Sequence, residues 1–206
     1  MMHDFNIASE PVVTLGVTTY LLGLAVGSVI LAPVSEIYGR RPVYIVSMGL
    51  FMLLVIPCGL ATSMAEVLVV RFFGAMAGSA MIANSPGSVS DIVNDEYRAL
   101  AFSIWSIGPL NGPVFGPIIG GFVTQYMGWR WTNWLVMILS GVAWAFVCIL
   151  KETYGPALLQ KKARKRRKET GDERWWSRYD HKVDFWERLR VNLSRPFVMT
   201  FTEPIW

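Results

Sequence analysis

The sequence predicts an all-α membrane protein, and three observations carry that prediction. Of 206 residues, 53% are hydrophobic and only 17% charged, where a soluble domain carries about 25% charge. The apolar residues gather in long runs without Asp, Glu, Lys or Arg. Each run is about the length a helix needs to cross a ~30 Å hydrocarbon core at ~1.5 Å per residue. The cations are also segregated. Residues 1–150 hold only Arg40, Arg41, Arg71, Arg98 and Arg130, and the other fourteen of the nineteen Lys and Arg lie in 151–206. An aromatic content of 13% excludes a disordered chain, and two cysteines exclude a disulfide scaffold.

Taken in order, the runs give five transmembrane helices, at about 12–35, 42–65, 67–90, 99–125 and 131–150. The third has the weakest hydropathy signal, because Gly74, Gly78, Ser79, Asn84, Ser85 and Gly87 dilute it and Arg71 interrupts it. Orientation follows from the cations at the helix ends. Arg40, Arg41, Arg98 and the basic tail fall on one side, which is expected to be cytoplasmic. Residues 1–11, the 62–66 turn and Arg130 fall on the other. Residues 1–11 are therefore expected to be extracytosolic and the C-terminus cytoplasmic. No cation precedes the first apolar run, which is also too long for a signal peptide. An odd number of spans with an outside start implies either unusual insertion or a further helix preceding this chain, and the second is the favoured expectation.

The fourth span carries the strongest pattern. Gly108, Gly112, Gly116 and Gly120 repeat every four residues, shadowed by Pro109, Pro113 and Pro117, with Gly121 adjoining. Residues four apart share a helix face, so the glycines form a groove that admits another backbone. Close packing explains the glycines alone. Three in-phase prolines, each removing a helical N–H, point further to a bent, functional helix. Gly23/Gly27 and Gly74/Gly78 repeat the same spacing in other spans. Between the first two spans, Glu36, Gly39, Arg40 and Arg41 cluster as a charged latch. Glu36 stands four residues before Arg40, a pairing distance if the helix persists, although the arginines alone would serve as orientation signals. Arg71 is the one charge inside an apolar run. It is either a functional intramembrane cation or a residue snorkelling to the helix end. Asn84 and Asn111 are possible cavity-lining polar residues.

The tail contains Lys161–Lys168, basic at seven of eight positions. Beyond it, Trp175, Tyr179, Val183 and Trp186 recur at helical spacing, as in an interfacial amphipathic helix beside a polybasic stretch. A solvated linker with a topology-fixing charge cluster is the plainer reading. Nucleic-acid binding is not expected of such a run on a membrane-anchored chain. The Asn192–Ser194 sequon, on the cytoplasmic side, is expected to be unused. No His, Cys or carboxylate group has metal-ligand spacing and no phosphate loop follows a strand. Neither a cofactor nor a metal is therefore expected, and no enzyme activity.

These motifs together resemble the N-terminal half of the major facilitator superfamily, and within it the fungal twelve-span drug:proton antiporters that include polyamine and multidrug exporters. Ser35-Glu36-Ile-Tyr-Gly39-Arg40-Arg41-Pro42 is similar to the family signature between helices 2 and 3, with Ala32 where many members have Gly. Gly112-x-x-x-Gly116-Pro117-x-x-Gly120-Gly121 resembles the helix 5 antiporter motif. Arg71-Phe-Phe-Gly74 resembles the helix 4 motif, and Trp129-Arg130-Trp131 the turn into helix 6. Glu152-Thr153-Tyr154-Gly-Pro156 is similar to the segment after helix 6 and Phe197–Pro204 to the approach to helix 7.

The resemblance implies a partial major facilitator fold in which the five spans are helices 2–6 and residues 151–206 are the central loop. It implies a plasma-membrane exporter of small amphiphilic or cationic compounds, drugs or polyamines, exchanging them for protons. Its partners would be substrate, protons, the bilayer and the rest of the transporter or a full-length relative. Arg71, Gly108, Gly112, Pro113, Gly116, Pro117, Gly120 and Gly121 would gate or couple transport. No Asp or Glu lies well inside a span, so a coupling acid is expected elsewhere and the chain alone is expected to be inactive. The alternatives are a truncated, non-transporting assembly partner, and a sugar-type facilitator, against which the Gly116-Pro117 pattern speaks.

Overall fold

A computed structural model describes residues 10–172 and 174–177, together with positions 190 and 194. Helix α1 spans Glu10–Tyr38, α2 Arg40–Leu60, α3 Met64–Ile92, α4 Arg98–Met127, α5 Trp129–Ile149 and α6 Gly155–Thr170, with a single 3-10 turn at Asp95–Tyr97 before α4. No strand occurs among the described residues. The structure is all-α, in line with the sequence.

The five apolar runs are all helical. Four of them, α1, α2, α3 and α5, are long and apolar enough to cross a membrane. The exception is α4, not the third run that the sequence marks as weakest. At 30 residues α4 is the longest helix. However, its five glycines, three prolines and Asn111 dilute its apolar content more than the small residues dilute α3. The helix also runs unbroken through Pro109, Pro113 and Pro117.

Glycines set the turns and the packing. Gly39 (φ 96°) and Gly128 (φ 87°) take the positive-φ backbone that separates α1 from α2 and α4 from α5. On α1, Gly23 and Gly27 lie directly on α3. A Cβ on Gly23 would fall 2.3 Å from the Phe72 carbonyl oxygen, and one on Gly27 would fall 2.3 Å from that of Met76. Ala75 and Ser79 are buried in the same interface. With a membrane outside, this close backbone approach replaces a large-residue core. Across α3, Phe51 of α2 covers Gly74 and Gly78. On its far side α2 meets α5, where the Trp144 indole donates to the Ile45 carbonyl at 3.0 Å. By contrast α4 buries no residue and rests mainly on α5, where the Thr124 and Thr132 hydroxyls share a 3.1 Å hydrogen bond.

The cationic run itself is helical. Pro156 opens α6 and Gly171, at φ 66°, closes it by donating its N–H to the Arg167 carbonyl. Arg167 and Lys168 sit in its last turn, where cations complement the helix dipole. Trp175 lies in non-helical chain. Tyr179, Val183, Trp186 and Asn192, the other members of the expected tail features, lie outside the described residues, as do residues 1–9.

Candidate functional site

Two constellations stand out, and the first forms around the α1–α2 turn. The Glu36–Arg40 pairing expected from their spacing does not form, because Gly39 breaks the helix between them. The carboxylate Arg40 meets belongs instead to Asp91 on α3, with Nε donating to Oδ2 at 2.8 Å. Its Nη1 donates to the Asn84 carbonyl at 2.9 Å, and its guanidinium lies over the Tyr154 ring at 5.5 Å. Gly87 makes room for this, since a Cβ there would stand 2.3 Å from Nη1. Arg40 is only 9% exposed, a burial that its carboxylate, carbonyl and ring partners make affordable.

The Glu152 carboxylate closes the assembly from beyond α5. Its Oε1 accepts the backbone N–H groups of Arg40, Thr153 and Tyr154 at 3.0–3.1 Å, and its Oε2 that of Arg41 at 3.1 Å. The first turn of α2 has unsatisfied N–H groups and the positive end of a helix dipole, and it receives no side-chain cap of its own. Glu152 supplies both acceptor and charge. Arg41 reciprocates by donating Nη2 to the Cys148 carbonyl at 3.0 Å, at the negative end of α5. Beneath them the Tyr44 and Ser88 hydroxyls share a 2.7 Å bond. One arginine and two carboxylates thus tie together the α1–α2 turn, the end of α3 and the exit of α5.

The second constellation lies deeper. A cavity of about 340 Å³ opens between α1, α2, α3 and α5, lined among others by Tyr20, Cys58, Arg71, Gly74, Thr132 and Asn133. Arg71 lies seven residues into α3, about 10 Å from its start. Its Nη1 comes within 3.3 Å of where a Cβ on Gly16 would stand. Among the described residues Arg71 makes no ion pair. Glu66, five residues earlier, accepts the Thr62 N–H instead. Arg71 therefore brings a positive charge to an otherwise largely apolar cavity, where low dielectric strengthens its pull on any polar or anionic group.

The other expected residues are placed as follows. Glu36 is exposed near the end of α1. Asn84 is 4% exposed and packs under the latch, with an unpartnered Nδ2. Asn111 is exposed, and its amide donates to the Ile107 carbonyl of its own helix at 2.7 Å. Among the described residues, Gly108, Gly112, Gly116 and Gly121 have nothing within 4 Å of an added Cβ, and Gly120 only the Thr132 Cγ2 at 4.0 Å. The α4 groove is thus apart from the first constellation and reaches the second only where Gly120 meets Thr132, and neither Pro113 nor Pro117 lines that cavity. Sequence reasoning missed Asp91 as Arg40's partner and Glu152 as the cap on α2. One signal was available: each acid borders a charge-free run on the side that carries Arg40 and Arg41. Among the described residues no three His, Cys, Asp or Glu gather as a metal site.

Apolar helices long enough to span a bilayer, a charged tie at one end and a lone arginine in a cavity at depth define a multi-pass helical membrane protein. Residues 1–203 match the Major Facilitator Superfamily, and the chain belongs to that family. It is similar to the efflux pump radE of Floropilus chiversii (37% identity over 206 residues, 100% of this chain and 38% of the relative). It is also similar to the citrinin biosynthesis cluster MFS transporter mrr1 of Monascus ruber (39% identity, 98% of this chain and 41% of the relative). A third relative is the MFS transporter prlG of a fungal species (41% identity, 100% of this chain and 44% of the relative). The chain spans about two fifths of the length of these relatives.

Proposed function

We propose that this chain is the part of a proton-coupled exporter that carries its charged latch and one wall of its substrate cavity. The substrates would be small amphiphilic or cationic compounds, drugs or polyamines, moved at the plasma membrane by alternating access. On this reading the latch faces the cytoplasm. The observation that carries the proposal is the buried Arg40, tied to Asp91 on one element while Glu152 from another caps the same turn. Such a network holds three helix ends in one arrangement and releases them together, as a gate with two discrete states requires. Glu36, Gly39 and Arg41 complete this turn, and Arg71 is the residue proposed to meet substrate or a coupling group at depth.

The cavity has one cation and no carboxylate within the spans, and α4 presents a bare glycine face, so the chain is proposed to be inactive alone. The test is reconstitution in liposomes with an imposed proton gradient. Dye or polyamine flux should match empty liposomes for this chain, and should be restored by the rest of the transporter, with Arg71→Gln abolishing the restored flux. Flux well above empty liposomes from the chain alone refutes the inactive reading. The open α4 groove favours one second reading, a non-transporting assembly partner. Co-purification with a full-length relative, with no flux in any combination, would select it.

A further inference from the structure

We infer that the corner between α1, α2 and α6 is a binding site for one anionic phospholipid, held by its headgroup in a basic cleft and by an acyl chain in the apolar groove that continues from it. The cleft has a volume of about 760 Å³ and is lined by Arg41 at the start of α2 and by Lys161 and Arg164 of α6, with Glu152 at its edge. Both Glu152 oxygens are turned to backbone N–H groups. Among the described residues neither Lys161 nor Arg164 meets a carboxylate. Three cations therefore face one carboxylate that is already engaged. The two α6 cations are three residues apart and so share a helix face.

Tyr38 and Pro42 line this cleft and also the mouth of a second cavity of about 350 Å³ between α1, α2 and α3. Its walls include Ile30 and Val34 on α1 and Val43, Val46 and Leu50 on α2, with Ser47 the one polar side chain beyond Tyr38 at the mouth. That hydroxyl turns back to the Tyr44 carbonyl. Tyr38 to Ile30 and Pro42 to Leu50 are each eight residues, about 12 Å of helix, most of one leaflet of a ~30 Å core. The walls run the same distance from the same mouth. A cationic end at the head of a dry groove of leaflet depth has the charge and shape of a phosphodiester on an acyl chain. A soluble anion would leave the groove empty, and a neutral lipid would leave the cations unmatched. The inference is independent of whether the chain transports.

The test is native mass spectrometry of the full chain in detergent micelles, titrated with phosphatidylserine or phosphatidylcholine. Phosphatidylserine should bind with the higher affinity. Lys161→Gln with Arg164→Gln should weaken it about 25-fold, at about fivefold per cation, and leave phosphatidylcholine unchanged. Lys162→Gln with Arg166→Gln removes the same charge from residues lining a separate cleft beside Trp175 and Trp176, and should change phosphatidylserine binding less than twofold. Val46→Trp should lower binding of both lipids, and Leu50→Trp serves if that variant loses helicity by circular dichroism. Equal losses from the two cation pairs would reduce the effect to diffuse attraction and overturn the site. Glycerophosphoserine binding as well as the lipid, with both tryptophan variants silent, would overturn it in favour of a headgroup-only anion site.

Discussion

A double-mutant cycle on Arg40 and Asp91 tests the latch most directly. Their 2.8 Å contact joins side chains that are 11% and 27% exposed. With charge centres about 4 Å apart and an effective dielectric of about 20, their attraction is about 4 kcal/mol. The exposure of Asp91 screens part of this. The coupling should therefore fall between the ~1 kcal/mol limit of surface pairs and the 3–5 kcal/mol lost on breaking a fully buried one, at about 2 kcal/mol. Asp91→Asn should cost about that much, since it strands a buried guanidinium. Arg40→Met keeps the apolar stem but also forfeits the bond to the Asn84 carbonyl and the Tyr154 ring contact, so about 3 kcal/mol is expected. With Arg40 gone, removing the Asp91 charge should add little, and the double variant should cost about 3 kcal/mol, not 5. The assay is reversible unfolding in mixed micelles followed by tryptophan fluorescence. A coupling below about 0.5 kcal/mol, or an Asp91→Asn variant as stable as the parent, refutes the claim that this pair holds the helix ends together.

Four further outcomes are expected in the same assay. Gly27→Ala should destabilise by about 2–3 kcal/mol, because the new methyl meets the Met76 backbone, which cannot swing aside. Gly112→Ala, with open space around it, should be neutral or stabilise by up to about 1 kcal/mol from helix propensity alone. Gly39→Ala forces a side chain into positive φ and to 2.7 Å from Glu152 Oε2, so about 2 kcal/mol is expected. Glu152→Gln should cost about 1 kcal/mol by weakening the charge-assisted cap on α2, and Glu152→Asp, one methylene shorter, should not restore it.

Much of the fold could be read from the sequence because membrane spans are a one-dimensional signal. A charge-free run near 20 residues has one stable backbone in lipid, and each of the five runs is helical here. The site was legible only in part. Arg40 and Arg41 stood out, and Gly39 was grouped with them. Their partners lie 51 residues away at Asp91 and 112 away at Glu152, and local spacing pointed to Glu36 instead. Helical pairing rules apply only within an unbroken helix, and Gly39 ends it one residue too soon. The helical state of Lys161–Lys168 was missed for a related reason. Like charges in a row argue for a solvated coil, whereas Pro156 and Gly171 supply helix boundaries whose effect does not depend on charge.

The glycine repeats show how a shared sequence spacing leads to different outcomes. Gly23/Gly27 and the Gly108–Gly120 series have the same four-residue period, and each glycine costs its helix about 1 kcal/mol relative to alanine. On α1 that cost is repaid, because the carbonyls of Phe72 and Met76 occupy the space a methyl would fill. On α4 nothing among the described residues repays it, and three prolines add to it. The period reports that a backbone-deep groove exists; which surface fills it depends on the partner's sequence, not on the groove's own. A helix carrying five glycines and three prolines with no buried residue is stabilised by little that is its own. It is therefore the element of this bundle whose conformation a partner surface would control most, and alanine substitution at Gly108 or Gly116, neutral in this chain, should become costly once such a surface is supplied.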